Sequence, residues 1–124
     1  MPHFKLEMHH FKFEEFGCNH CDENHMEEEF LLMIDYARNV AGIPFTITSG
    51  YRCQEHNANV GGVPSSSHTR GWAADIACDS SSKRFAIING LIEAGFTRIG
   101  IADKFVHVDC DPNKPEEVIW TYGR

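Results

Sequence analysis

The chain has 124 residues, a formal net charge of −7, 42% hydrophobic and 23% charged residues. That length suits one domain, read as 1–124, and the composition is too apolar for a disordered chain. The acidic balance argues against nucleic-acid binding, which needs a cationic face, and the lack of an apolar run near the roughly 20 residues of a membrane span argues against a membrane partner.

The opening stretch "MPHFKLEMHHFKFEEF" lacks the apolar centre and small-residue cleavage site of a signal peptide, so synthesis in a cytoplasm is expected. Residues 1–16 alternate between aromatic and charged. In "HFKFEEF", residues 10–16, Phe11 and Phe13 share one face and Lys12 and Glu14 the other, the pattern of a short strand or an extended arm. Residues 17–25, "GCNHCDENH", are polar and turn-rich.

Residues 26–41 predict a helix. Phe30, Ile34, Ala37 and Ala41 follow helical spacing, and Leu31, Met33 and Val40 widen the stripe. Glu27, Glu28 and Glu29 fall in the first turn, where the macrodipole favours acids, and Gly42 and Pro44 end the element. "PFTITSGYR", 44–52, is rich in β-branched and aromatic residues and predicts a strand. The following "EHNANVGGVPSSSH" reads as loop with one helical turn near Glu55 to Val60. "WAADIAC" predicts a second strand. Residues 81–96 predict a second helix, with Ser81 or Ser82 as N-cap and Gly95 as its C-terminal stop. "RIGIA" and "KFVHVDC" predict strands joined by a turn at Asp103-Lys104, and the tail "EEVIWTYGR" adds an edge strand or packs on the core. Helices alternate with strand pairs without a βαβαβ rhythm. The class is therefore α+β, a mainly antiparallel sheet with two main helices.

Three separated features carry metal chemistry: His68 followed by Asp75 in "SSHTRGWAAD", His107 in "FVHVD", and Arg52 in "SGYR". Two imidazoles and a carboxylate are the ligand types of a catalytic zinc, with one position left for a water acidified to a pKa near 7. Gly71 permits a tight backbone path and Ala73 leaves room for neighbours. Such a trio has no unique spacing and would also serve iron. "AADIAC" reads equally as a strand with one satisfied aspartate, and His3, His9, His10, His25 and His56 read as ordinary solvated or hydrogen-bonded histidines.

The stretch Ser66-x-His68-x-x-Gly71-x-Ala73-x-Asp75 resembles the S-x-H-x-x-G-x-A-x-D signature of zinc D-alanyl-D-alanine carboxypeptidases and L-alanyl-D-glutamate endopeptidases. These are peptidoglycan metallopeptidases related in fold to the Hedgehog signalling domain. "SGYRCQEHNANVGG", "FVHVD", "EEFGCNHC" and "WTYG" resemble further segments of small, often phage-encoded members, so the likeness runs from about Phe13 to Tyr122. The resemblance implies one catalytic zinc held by His68, Asp75 and His107, with Arg52 binding or polarising the substrate carbonyl or carboxylate. Ser66 then orients the loop or touches substrate. Many relatives place the general base two or three residues before the last ligand, where this chain has Phe105 and Lys104. Asp103 and Asp109 are the alternatives, and the reading leans to Asp103 as base and Asp109 as a group orienting a ligand imidazole. The implied partner is the peptidoglycan stem peptide, cut by a monomer released through a phage lysis-type route. The rival reading is a non-catalytic, metal-bound binding or structural module.

The five cysteines are Cys18, Cys21, Cys53, Cys78 and Cys110; the count is odd, and cytoplasmic synthesis favours free thiols. Cys18-x-x-Cys21, with His20 and His25, is half of a structural zinc set, and Cys53, Cys78 or Cys110 could complete it in space. Without a second C-x-x-C, the spacing favours a loop with reduced thiols or a disulfide. Cys78 and Cys110 read as small core residues, and Trp72 and Trp120 could line a substrate groove, with core packing the preferred reading for both.

Overall fold

A computed structural model of the chain describes residues 8–21 and 23–123. His3 and the rest of the first seven residues lie outside the described residues. In chain order the elements are a 3-10 turn Phe13–Phe16, helix α1 Glu28–Ala41, strand β1 Ile47–Ser49, helix α2 Gln54–Asn59, a 3-10 turn Ser67–Arg70, strand β2 Ala73–Ala77, helix α3 Ser81–Glu93, and strands β3 Arg98–Ile101, β4 Phe105–Asp109 and β5 Val118–Thr121. The strands form one sheet in the order β1-β2-β4-β3-β5. Its first four strands pair antiparallel, and β5 runs parallel to β3 at the edge. The expected α+β class with a mainly antiparallel sheet is therefore what the chain adopts.

The sheet separates its two faces by strand alternation. Ala74 and Ile76 of β2, Val106 and Val108 of β4 and Ile99 of β3 are buried in one apolar cluster with the helices. α1 contributes Phe30, Leu31, Ile34 and Ala37 to it, and α3 contributes Ile87 and Leu91. Burying each of the larger of these side chains stabilises the fold by about 1.5–3 kcal/mol. The other face carries Asp75, Gly100, His107 and Asp109, so burial of one face fixes where the polar residues of the other must lie.

Two local expectations change. "HFKFEEF" does not extend as a strand or arm, but closes into the 3-10 turn Phe13–Phe16. The Glu15 carboxylate accepts the Lys12 N–H at 2.7 Å, and Phe11 packs edge-on against Phe16 at 5.1 Å between ring centroids. The alternation thus marks two aromatic residues converging on the core. Further back, buried Asp35 of α1 accepts the backbone N–H groups of His9 and His10 at 3.1 and 2.9 Å, which binds this segment to the helix. The second change concerns α3, whose N-cap is Ser80 rather than Ser81 or Ser82. Its hydroxyl accepts the Lys83 N–H at 3.3 Å, because the helix already begins at Ser81.

α1 and α3 pack closely at Gly90. A Cβ there would lie 2.3 Å from the Ala37 carbonyl oxygen. In an isolated helix, glycine to alanine stabilises by up to about 1 kcal/mol. Here Gly90→Ala is expected to destabilise by roughly 1–3 kcal/mol through overpacking, read as a lowered midpoint in thermal and urea unfolding. A raised midpoint would show that the contact yields.

Candidate metal centre

β2 and β4 pair so that Asp75 lies directly opposite His107. Cross-strand neighbours stand about 4.5–5.5 Å apart at Cβ, close enough for their side chains to share one small ligand. His107 Nδ1 lies 2.9 Å from Asp75 Oδ1. The third member arrives from the 3-10 turn Ser67–Arg70, where the Ser66 hydroxyl accepts the His68 N–H at 3.2 Å and starts the turn. His68 Nε2 then lies 3.4 Å from the same Asp75 oxygen. One donor atom from each of the three residues falls within 4.8 Å of the others.

The loop bearing His68 is locked from three sides. Gly71 ends the turn at φ 80°, in the left-handed region, and a Cβ there would lie 2.0 Å from the His25 carbonyl oxygen. Only glycine meets both demands. Buried Asp111, just beyond β4, accepts from the Ser67 hydroxyl at 2.7 Å and is paired with Arg70. The backbone N–H of Arg52 donates to the His68 carbonyl at 3.1 Å, which joins this loop to the segment after β1.

Each imidazole has its remote nitrogen occupied. His68 Nδ1 meets the Gly50 carbonyl at 2.8 Å. His107 Nε2 meets Asp109 Oδ2 at 2.8 Å, and Asp109 Oδ1 in turn accepts from Arg98 Nε at 2.6 Å. With N–H on those outer atoms, His68 Nε2 and His107 Nδ1 are the nitrogens that would offer lone pairs to an ion beside Asp75. This is the arrangement by which metal-binding histidines are oriented and made more basic. Two imidazole nitrogens and a carboxylate oxygen converging in this way fit a zinc ion with an open coordination position.

Before an ion binds, protons on the inner nitrogens serve Asp75, and a bound metal would displace them. Burial alone would raise the Asp75 carboxyl, but hydrogen bonds from His107 and His68 hold it well below the usual carboxylate range. Burial pushes the His68 imidazole down, favouring its neutral, metal-ready form. Burial acts in the same sense on His107, but its hydrogen bonds to Asp109 and Asp75 outweigh that and raise it. Asp109 resists the upward effect of burial through His107 and Arg98 and stays anionic.

The three residues sit in a cleft of about 450 Å³ whose lining includes Arg52, Arg98, Lys114, Phe105, Trp120 and Tyr122. Arg52 Nη1 donates to Asn57 Oδ1 at 3.1 Å, while its Nε is buried with no partner among the described residues. Ser66 also lines this cleft. Trp120, read as a core residue, is instead part of the wall: its ring stands 5.6 Å from that of His107, and Arg98 lies over it at 5.1 Å. A Cβ on Gly100 would lie 2.7 Å from the indole nitrogen, so glycine opposite His107 makes room for this ring. Trp72 does pack against the core.

The structure does not bring Asp103 to this cleft. Its side chain is exposed at the β3–β4 turn, and its carbonyl accepts from Arg84 at 3.1 Å. Asp109 does face the cleft, as a residue that positions His107. Arg98, Asp111 and the Gly50 carbonyl were absent from the sequence reading.

With this geometry in view, the comparison with known families is decisive. The family model described as Peptidase M15 matches residues 3–109. The chain belongs to the M15 peptidase family. This is the zinc peptidase family of D-Ala-D-Ala carboxypeptidase type, and the convergent trio lies within the matched region. No curated protein matches the chain.

Two outcomes are expected for this M15 centre. Asp109→Ala should weaken zinc binding about 10- to 100-fold, measured by competition with a chromogenic chelator; unchanged affinity would remove Asp109 from the orienting role. Burial raises the Asp111 carboxyl, but the Asn113 N–H, Ser67 and Arg70 more than offset this and lower it. A carboxyl depressed by folding stabilises above its unfolded pKa of about 3.9, and that contribution fades as pH falls through the folded value. Asp111→Asn should therefore lose roughly 1–3 kcal/mol near neutrality, with the gap to wild type narrowing below about pH 4 in urea titrations. A gap that is constant from neutral to acid pH would rule out the ionised pair as its source.

Proposed function

We propose that this M15 protein hydrolyses a peptide bond in the peptidoglycan stem peptide at the cleft around His68, Asp75 and His107. The observation that carries the reading is the set of three convergent donors beside an arginine with an unsatisfied buried donor. When bound, zinc supplies a Lewis acid and a water acidified to near neutral pKa. The chain's own residues supply the rest. His68, Asp75 and His107 hold the ion, with Gly50 and Asp109 setting the two imidazoles. Arg52, half-buried at the cleft, offers a rigid fork for a carboxylate or a polarised carbonyl. The aromatic rings of Trp120 and Tyr122 flank the peptide.

The two candidate bonds share one chemical feature. In D-Ala-D-Ala, the residue that provides the leaving amine carries a free α-carboxylate. So does D-glutamate when it is linked through its γ-carboxyl after L-Ala. Arg52 is suited to hold that carboxylate in either case, which supports carboxypeptidase and endopeptidase action alike. Release to the cell wall by a phage lysis-type route belongs to this reading and rests on the likeness of "EEFGCNHC" and "WTYG" to small phage-encoded members.

One observation favours the second reading, a metal-bound module without catalysis. Of the described residues that line the cleft, the carboxylates are Asp75 and Asp109, and both are engaged by imidazoles. A separate carboxylate to take the proton from water is not among them.

Digestion of purified peptidoglycan by the zinc-loaded protein, with and without chelator, decides between the readings. The expected result is chelator-sensitive release of peptides, and their masses identify the bond. Arg52→Ala should reduce kcat/KM at least about 10-fold, the loss of one charge-assisted contact of about 1.5–3 kcal/mol. No cleavage by fully zinc-loaded protein would establish the module instead.

A further inference from the structure

We infer that Cys18, Cys21 and Cys53 form a second metal site, a structural zinc centre with His20 as the fourth donor. The three sulfurs lie within 4.8 Å of one another. Around a tetrahedral zinc with Zn–S near 2.3 Å, sulfurs stand about 3.8 Å apart, so closing on an ion takes only a small inward movement. His20 Nδ1 lies 3.6 Å from Cys53 Sγ, placed to swing in as the fourth donor of a Cys3His set, one of the known structural combinations.

The backbone around these sulfurs is arranged as thiolate ligands require. Cys18 Sγ accepts N–H groups from His20 and from Cys53, each at 3.4 Å. Cys53 Sγ accepts the His56 N–H at 3.4 Å. Three N–H groups directed at two sulfurs stabilise negative charge there, the same outer support that orients ligands in other metal sites. The Cys18–Cys21 turn is further held by Asn19, whose Nδ2 donates to the Thr48 carbonyl at 3.1 Å. The other two thiols are elsewhere: Cys78 is buried, with its sulfur 3.5 Å from the Ser80 carbonyl, and Cys110 packs against the core.

The site joins distant parts of the chain. Cys18 and Cys21 follow the Phe13–Phe16 turn, and Cys53 caps α2, one residue after Arg52. The Tyr51 N–H already donates to the Phe16 carbonyl at 2.8 Å along the same seam. An ion here clamps the N-terminal segment to the turn that carries Arg52, and its binding energy adds directly to folding. The inference does not depend on the chain being a working peptidase.

The test is metal content and cobalt substitution of the full chain, purified and reloaded under reducing conditions. Two zinc ions per chain are expected, with one remaining in Cys21→Ser, Cys53→Ser and His68→Ala. Cobalt-loaded wild type and His68→Ala should show thiolate-to-cobalt charge-transfer absorption and the intense visible bands of a tetrahedral ion. Cys53→Ser should lose the charge-transfer absorption and keep only the visible bands of cobalt at His68, Asp75 and His107, and His20→Ala, made in the His68→Ala background, should alter the remaining visible bands. If the serine variants do not fold, alkylation of the wild type gives the answer: Cys18, Cys21 and Cys53 should be protected until chelator is added. A reduced, folded chain that takes up one zinc, shows no charge-transfer absorption and alkylates at all three cysteines overturns the site. Unaltered visible bands when His20→Ala is added to His68→Ala overturn the fourth ligand. Loss of the His68 site leaves the cobalt signature intact, so failure of either metal centre is read separately from the other.

Discussion

The register between β2 and β4 is the constraint on which the centre depends. Asp75 meets His107 because Ala74 and Ile76 on one strand and Val106 and Val108 on the other are buried on the opposite face. A slip of one residue would turn the aspartate and histidine into the apolar cluster and bring the aliphatic side chains out. Hydrophobic burial, which is non-directional, thereby fixes the position of two polar side chains to within a hydrogen bond. The same logic extends one strand further, where β3 sets Arg98 opposite Asp109 and Gly100 opposite His107.

The centre is layered rather than a simple trio. Asp109, Asp111 and the Gly50 carbonyl stand behind the imidazoles and the loop, and Arg98 and Arg70 stand behind the two aspartates. A buried carboxylate is costly unless it is paired, and here each one is paired while it orients something else. The chain has a formal charge of −7, yet the cleft lining includes Arg52, Arg98 and Lys114. The acids of this region are turned inward, neutralised by histidine and arginine, and the cleft is left able to receive an anionic group.

Much of this was legible in the sequence. The 3.6-residue stripe from Phe30 to Ala41 marked α1, and alternation in "FVHVD" marked β4. The S-x-H-x-x-G-x-A-x-D pattern singled out two of the three convergent residues, and "FVHVD" the third. Arg98 was readable in principle: folding the two strands back about the Asp103-Lys104 turn sets it opposite Asp109. What could not be read were contacts between segments far apart in the chain. Asp111 meets Ser67 across 44 residues, and Cys53 meets Cys18 across 35. Asp103 was misjudged because its nearness to His107 in sequence suggested nearness in space, whereas a β-turn carries its side chain out to solvent. Trp120 was misjudged because large aromatic residues are usually buried. Its indole is accommodated by the missing side chain of Gly100, which no local pattern announces.

The final strand gives the cleft a modular construction. β5 enters the sheet at its edge and parallel to β3, while the family match ends at Asp109, before β5 begins. Lys114, Trp120 and Tyr122 are thus wall residues drawn from outside the matched region. Asp75 and His107 are fixed by the central strands and His68 by its turn, whereas Trp120 hangs on a single edge pairing. Exchange of the last dozen or so residues could reshape what the cleft admits without moving His68, Asp75 or His107. The three convergent donors and this part of the cleft wall therefore lie on separate parts of the fold.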